Sequence, residues 1–88
     1  MKTSGNTVLI TGGATGIGFG LTSSFINRGN KVIICGRREN KLREAREKLQ
    51  EISIRKCGVS SQSDRQSLFE WATSEFPEMN ILVNNARI

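Results

Sequence analysis

Glycines at positions 12, 16 and 18 stand in the run Thr11-Gly12-Gly13-Ala14-Thr15-Gly16-Ile17-Gly18, where an apolar, β-branched stretch gives way to a helical pattern. That placement suits one kind of chemistry, the cradling of a diphosphate. Gly12 can adopt the angles of a tight turn, Gly16 lets the main chain come close to a phosphate, and Gly18 lets the helix pack tightly. The helix that follows would aim its unbonded N–H groups and partial positive charge at the phosphate oxygens. A glycine cluster alone equally describes a turn with steric demands only. The strand before it and the helix after it favour a dinucleotide site. No Gly-Lys-Ser/Thr follows, which argues against a nucleoside triphosphate loop.

The second group with chemical potential is Cys35-Gly36-Arg37-Arg38, at the end of the next apolar stretch and about 20 residues past the glycine turn. An acid here would accept hydrogen bonds from both hydroxyls of an NAD ribose. Gly36 takes that place and removes the repulsion that a carboxylate would exert on a 2′-phosphate. Arg37 can meet such a phosphate with a planar, permanently charged fork. Thr15 can add a hydroxyl. NADP(H) is the cofactor these residues predict. For Arg38 a solvated charge preceding a helix is an equally good description.

These groups need elements to hold them. Thr7 to Thr11 predicts a first strand, and Ile17, Leu21 and Phe25 predict the apolar stripe of a helix stopped by Gly29. Lys31 to Cys35 predicts a second strand covered on both faces. Leu42, Ala45, Leu49 and Ile52 keep helical spacing, so Glu39 to about Gln50 forms an amphipathic helix. Ile52, Ile54 and Val59 mark a weaker third strand. Ser63-Asp64-Arg65-Gln66 offers a capping box for a third helix with Leu68, Ala72 and Phe76 on its buried side, closed by Pro77. Asn80 to Val83 is then a fourth strand. Alternation of strand and helix with short connections predicts an α/β fold, a parallel sheet in order 3-2-1-4 with the cleft at the carboxyl end of strand one.

Composition narrows the function classes. With 88 residues, 36% of them hydrophobic, the chain makes one small domain of marginal stability. The net charge of +5 sits largely in Arg37, Arg38, Lys41, Arg43, Arg46 and Lys48, interleaved with Glu39, Glu44 and Glu47 as on a solvated helix face. Without stacking aromatics or a known motif, nucleic acid is not expected as a partner. Cys35 and Cys57 are too few for a disulfide framework, and with no histidine a zinc site has almost no ligands. The polar start and the lack of a long apolar run predict a cytoplasmic chain without a membrane span.

TGGATGIG matches the TGxxxGIG pattern of the short-chain dehydrogenase/reductase family at every fixed position, and Ile81 to Ala86, ILVNNA, is similar to its ILVNNAG segment. The resemblance spans essentially the whole chain. It implies a partial, truncated Rossmann-type doubly wound sheet, an oxidoreductase and a nicotinamide dinucleotide as partner. The cofactor-binding positions it implies are Gly12, Thr15, Gly16, Ile17, Gly18, Arg37, Arg38, Asn85 and Ala86, with Asn85 tying strand four to Thr11. Family members with glycine then arginine after strand two resemble this chain and use NADP. Two departures stand out. The aspartate-valine pair that binds adenine reads Gly58-Val59 here, and Arg87 replaces a glycine.

The family's catalytic serine, tyrosine and lysine come from later elements, and this sequence has no tyrosine. The resemblance therefore implies the NADP(H)-binding portion of an oxidoreductase without catalytic residues, inactive as these 88 residues alone. A noncatalytic NADPH-binding or regulatory module is the alternative. Loss of the strand next to strand four predicts self-association through that exposed edge.

Overall fold

A computed structural model describes residues 4–58 and 61–85. Seven elements follow one another: β1 (Thr7–Thr11), α1 (Gly16–Asn27), β2 (Lys31–Gly36), α2 (Glu39–Lys48), β3 (Ser53–Lys56), α3 (Gln62–Glu75) and β4 (Ile81–Asn84). The strands form one sheet in the order β3-β2-β1-β4, and every neighbouring pair is parallel. This is the order the alternation of elements predicts. Val59 lies outside the described residues, so its expected place in the third strand is not described.

The two central strands explain the layering. All five residues of β1 are buried, because parallel strands with helical crossovers are covered on both faces. Successive side chains point to opposite faces. Val8, Ile10, Val32 and Ile34 thus join Leu42, Ala45 and Ile52 in one core under α1 and α2. Leu9, Ile33 and Cys35 join Leu68 and Ala72 in a second core under α3, flanked by Trp71 and Phe76.

Helix α1 differs from its predicted stripe. Leu21 and Phe25 are partly buried against the first core, but Ile17 is 79% exposed. The face turned to the sheet carries Gly18 and Thr22 instead, four residues apart and therefore one above the other. Thr22 Oγ1 donates to Gly18 O at 2.9 Å and to Gly13 O at 3.2 Å, so its hydroxyl is satisfied where α1 meets the glycine turn. Ile17, one position away, is rotated out over the turn. Gly29, with φ of 83°, ends the helix as expected, its N–H donating to Ile26 O at 3.0 Å.

The cap of α3 also differs. Ser61, not Ser63, is the N-cap, and its Oγ accepts the Asp64 N–H at 3.0 Å. Both serines satisfy the local rule, but the helix starts at Gln62, which places Ser63 inside its first turn. β4 begins one residue later than predicted. Asn80 acts ahead of it as an anchor: its Oδ1 accepts Thr7 N–H at 2.9 Å and its Nδ2 donates to Asn6 Oδ1 at 2.9 Å. Asn6 in turn donates from its backbone and side chain to Asn30 Oδ1, each at 3.0 Å, and Asn30 Nδ2 donates to Phe25 O at 2.9 Å. Three asparagines thereby lock the lower end of the sheet.

Among the described residues no strand pairs with the outer edge of β4. Leu82 is 54% exposed there and Phe69 of α3 is 52% exposed beside it. No helix among them is long and apolar enough to cross a membrane.

Candidate functional site

A cleft of about 720 Å³ opens where β1 and β2 end at their carboxyl termini. One wall is the glycine turn, with Thr11, Gly12, Ala14 and Thr15; the other is Cys35, Gly36, Arg37 and Arg38 with Lys41 and Leu42 of α2. Cys57 closes the side next to β3.

The turn is built by specific contacts. Gly12 has φ of 69°, open to glycine at little cost, and its N–H continues the sheet by donating to Cys35 O at 2.9 Å. A Cβ on Gly18 would run into the carbonyl oxygen of Gly12 and would stand 2.6 Å from Asn85 Nδ2. Only glycine allows α1 to start so close to the turn. Gly16 is different: its φ is 57°, yet beyond its chain neighbours and its own helix backbone nothing lies within 4 Å of where its Cβ would be. Its backbone faces open space, which is what a ligand approaching the main chain needs.

The helix start is poised for an anion. Thr15 is the N-cap, in extended conformation, and its hydroxyl makes no capping hydrogen bond. The first helical bond runs from Phe19 N to Thr15 O at 3.2 Å, so the amides of Gly16, Ile17 and Gly18 have no carbonyl of their own helix to bond. Together with the axial dipole they make a site for negative charge.

Asn85 lies behind the turn rather than in the cleft. Its backbone N–H donates to Thr11 Oγ1 at 2.9 Å and its Nδ2 donates to Gly12 O at 3.3 Å, so it tethers β4 to the turn. Thr11 Oγ1 is also 3.1 Å from Asn84 Oδ1. Of the positions singled out in the sequence, Gly12, Thr15, Arg37 and Arg38 line the cleft. Gly16, Ile17 and Gly18 follow Thr15 in the first turn of α1 and are not among the residues that line it, and Ala86 lies outside the described residues.

The structure adds residues that the sequence did not single out. Lys41 reads as one of many solvated helix charges, but it lines the cleft from the first turn of α2, its Nζ 3.6 Å from Glu44 Oε2. Its position three residues after Arg38 was the available signal. Gly13 is another: a Cβ there would sit 2.6 Å from Ile34 Cγ2, so it is needed for packing of the turn on β2. Asp64 is a third, with Oδ2 3.1 Å from where a Cβ of Gly58 would be. A carboxylate thus stands beside the position where the family resemblance leads one to expect an aspartate.

A parallel sheet with a glycine turn opening onto a helix N-terminus at its central strand defines an α/β dinucleotide-binding architecture. A model of the short chain dehydrogenase family matches residues 6–88, and the chain belongs to that family. The chain is 51% identical over 88 residues to the uncharacterized oxidoreductase DltE of Bacillus subtilis, covering all of this chain and 35% of that protein. It is 44% identical over 87 residues to a tropinone reductase homolog of Datura stramonium, covering 93% of this chain and 32% of the other. Among solved structures it is similar to the Pseudomonas aeruginosa RhlG/NADP active-site complex, with TM-score 0.87, 26% identity and coverage of 97% and 36%. The L-sorbose reductase of Gluconobacter frateurii, complexed with NADPH and L-sorbose, gives TM-score 0.80 at 29% identity, with coverage of 97% and 34%. The chain thus spans about a third of the length of these relatives.

Proposed function

We propose that this chain is the NADP(H)-binding portion of a short-chain dehydrogenase/reductase-type oxidoreductase, whose reacting groups come from sequence outside these 88 residues. The observation that carries it is the cleft itself: on one wall Thr15, the N-cap of a helix whose first amides have no helical partner, and on the other Gly36 with Arg37 and Lys41. The Gly16 backbone, open to the space in front of it, fits close approach of a diphosphate.

In this reading the amides of Gly16, Ile17 and Gly18 bind the diphosphate, and Thr15 adds a hydroxyl. Arg37 forks onto the 2′-phosphate, with Lys41 as a second charge and Arg38 in the outer shell of the same anion. Gly36 leaves that phosphate unopposed by a carboxylate. Asp64 stands near enough to Gly58 to accept from the adenine amino group in place of the missing aspartate. Asn85 tethers the end of β4 to the turn and shapes the side on which the nicotinamide end would run, and the family resemblance adds Ala86 to the cofactor-binding positions. The bound cofactor would supply hydride transfer. The chain's own residues bind and orient it. None acts as the tyrosine acid or base of the family, because the sequence has no tyrosine.

The names of two structural relatives, one an NADP complex and one an NADPH complex, support the phosphorylated cofactor over NAD. Exposed Leu82 and Phe69 support self-association through the outer side of β4. Two unpaired cysteines agree with a cytoplasmic, reducing setting.

The test is a calorimetric titration of the chain with NADPH and with NADH. NADPH is expected to bind at least tenfold more tightly. Equal affinities, or heat from neither, would remove the basis for the reading.

A further inference from the structure

The two cysteines have no role in the reading above, yet they meet in the wall of the same cleft. Cys35 ends the buried part of β2 and Cys57 follows β3, half-buried; both line the cavity beside Gly36 and Arg37, and neither is in a disulfide. The strand register explains the meeting. Cys35 pairs with Arg55 and Gly36 with Lys56, so Cys57 lies two positions on from Arg55 and shares its face. The ladder continues past the strand, with Cys57 N–H donating to Gly36 O at 2.8 Å. Cys57 packs on the core cluster that contains Cys35.

The contact divides the labour between the two sulfurs. The neighbouring Cys35 thiol draws the Cys57 thiol below the ordinary thiol range; Arg55 helps, while burial and Asp64 oppose. Arg55 is held there by stacking over Trp71, 4.6 Å from the ring centroid. Cys35 is pushed far above the usual range by the neighbouring Cys57 thiol, by its burial and by the charge of Cys57, against the backbone of Gly12. Thiolate is the reactive form, and partial exposure beside positive charge is where it is found. Cys57 meets both conditions and Cys35 meets neither.

We propose that Cys57, half-buried beside Cys35 in a cleft wall that also carries Arg37, Arg38 and Lys41, is a thiol-modification site that exchanges with low-molecular-weight disulfides, its adduct and the nucleotide excluding one another. The second half rests on the NADP(H) reading; the first does not. In the exchange, the Cys57 sulfur forms a new S–S bond with one sulfur of the reagent. The reagent's own S–S bond breaks, and its other half leaves as a thiolate that takes up the proton Cys57 lost. Cys57 is oxidised from thiol to disulfide and the released half is reduced to thiol. Cys35 keeps its proton throughout. The adduct then projects from the wall at Gly36 and Arg37 into the space assigned to the adenosine phosphate.

The experiment uses the full chain and dithiodipyridine, a neutral disulfide whose released thiopyridone absorbs light. One equivalent is expected to react fast in the native protein and a second only after unfolding in denaturant. Cys57→Ala, at a half-exposed position, is expected to abolish the fast equivalent. Cys35→Ala is expected to slow it several-fold at neutral pH and move its pH profile upward; a fold loss in that variant is checked by circular dichroism, with the wild-type pH profile as the independent measure. A fast equivalent that survives Cys57→Ala, a wild-type profile at the ordinary thiol position, or mass loss of two hydrogens from an intrachain disulfide would overturn the site. Saturating NADPH is expected to slow the reaction tenfold or more, and a glutathione adduct to weaken NADPH by the same factor, since coupling is reciprocal. NADPH that binds by calorimetry without protecting Cys57 would overturn the exclusion. Absence of NADPH binding to the unmodified chain would instead strike the cofactor reading and leave the exchange standing.

Discussion

Gly36→Asp tests the cofactor assignment at the position where charge alone should decide the outcome. The substitution is sterically mild, since a Cβ on Gly36 would lie 3.7 Å from Leu42 Cδ2, ordinary van der Waals contact. What changes is the field. A carboxylate about 5 Å from a phosphate carrying about −1.5 to −2 charges is repelled by roughly 2 to 3 kcal/mol when the effective dielectric constant is about 40 to 60, as suits an open cleft. At about 1.4 kcal/mol per tenfold, NADPH should bind about 30- to 150-fold more weakly. NADH lacks that phosphate and offers two ribose hydroxyls, so its affinity should hold or rise a few-fold. Calorimetric titration of both nucleotides against both proteins reads the result, with the effect on NADPH shrinking as salt is raised. Parallel weakening of the two nucleotides would show that the substitution acts through the fold. Unchanged NADPH affinity would show that the phosphate is held elsewhere.

Three further outcomes follow from the geometry. Gly18→Ala places a methyl against the Gly12 carbonyl and Asn85 Nδ2, and should cost about 2 to 4 kcal/mol in denaturant unfolding, together with most nucleotide binding. A variant as stable as the parent would mean that the close approach of α1 to the turn is not required. Lys41→Ala should weaken NADPH about three- to tenfold and leave NADH within twofold, with a shallower salt dependence in titration; equal losses would place Lys41 outside the phosphate's reach. Sedimentation should reveal concentration-dependent association that Leu82→Lys suppresses, because Leu82 is 54% exposed along the side of β4 with which no strand among the described residues pairs. A monomeric parent at high concentration would contradict that expectation.

The sequence alone determined what depends on neighbours along the chain. β1 and β2 are short runs of β-branched and apolar residues bounded by glycine or polar residues, and α2 carries its buried Leu42 and Ala45 at helical spacing, so their existence and order were legible. Parallel pairing followed, since a helix between successive strands leaves little other choice. The turn at Gly12 was legible for the same reason, as was the end of α1 at Gly29: each requires a positive φ within a few residues.

Only the tertiary structure decided what depends on contacts across the sheet. Ile17 fits a helical stripe, but the rotation of α1 is set by Gly18 pressing on Gly12 and by Thr22 bonding Gly13, and that turns Ile17 outward. Ser61 and Ser63 are equivalent to local rules, and where α3 begins distinguishes them. The Asn6, Asn30 and Asn80 chain joins side chains 24 and 74 positions apart, and Cys35 meets Cys57 through strand register. Lys41 enters the cleft because α2 packs back over β2. A local pattern specifies which face of an element is apolar, but the rotation and height at which that face seats are set by side chains distant in sequence. Site residues carried on those faces become visible only once the elements are packed.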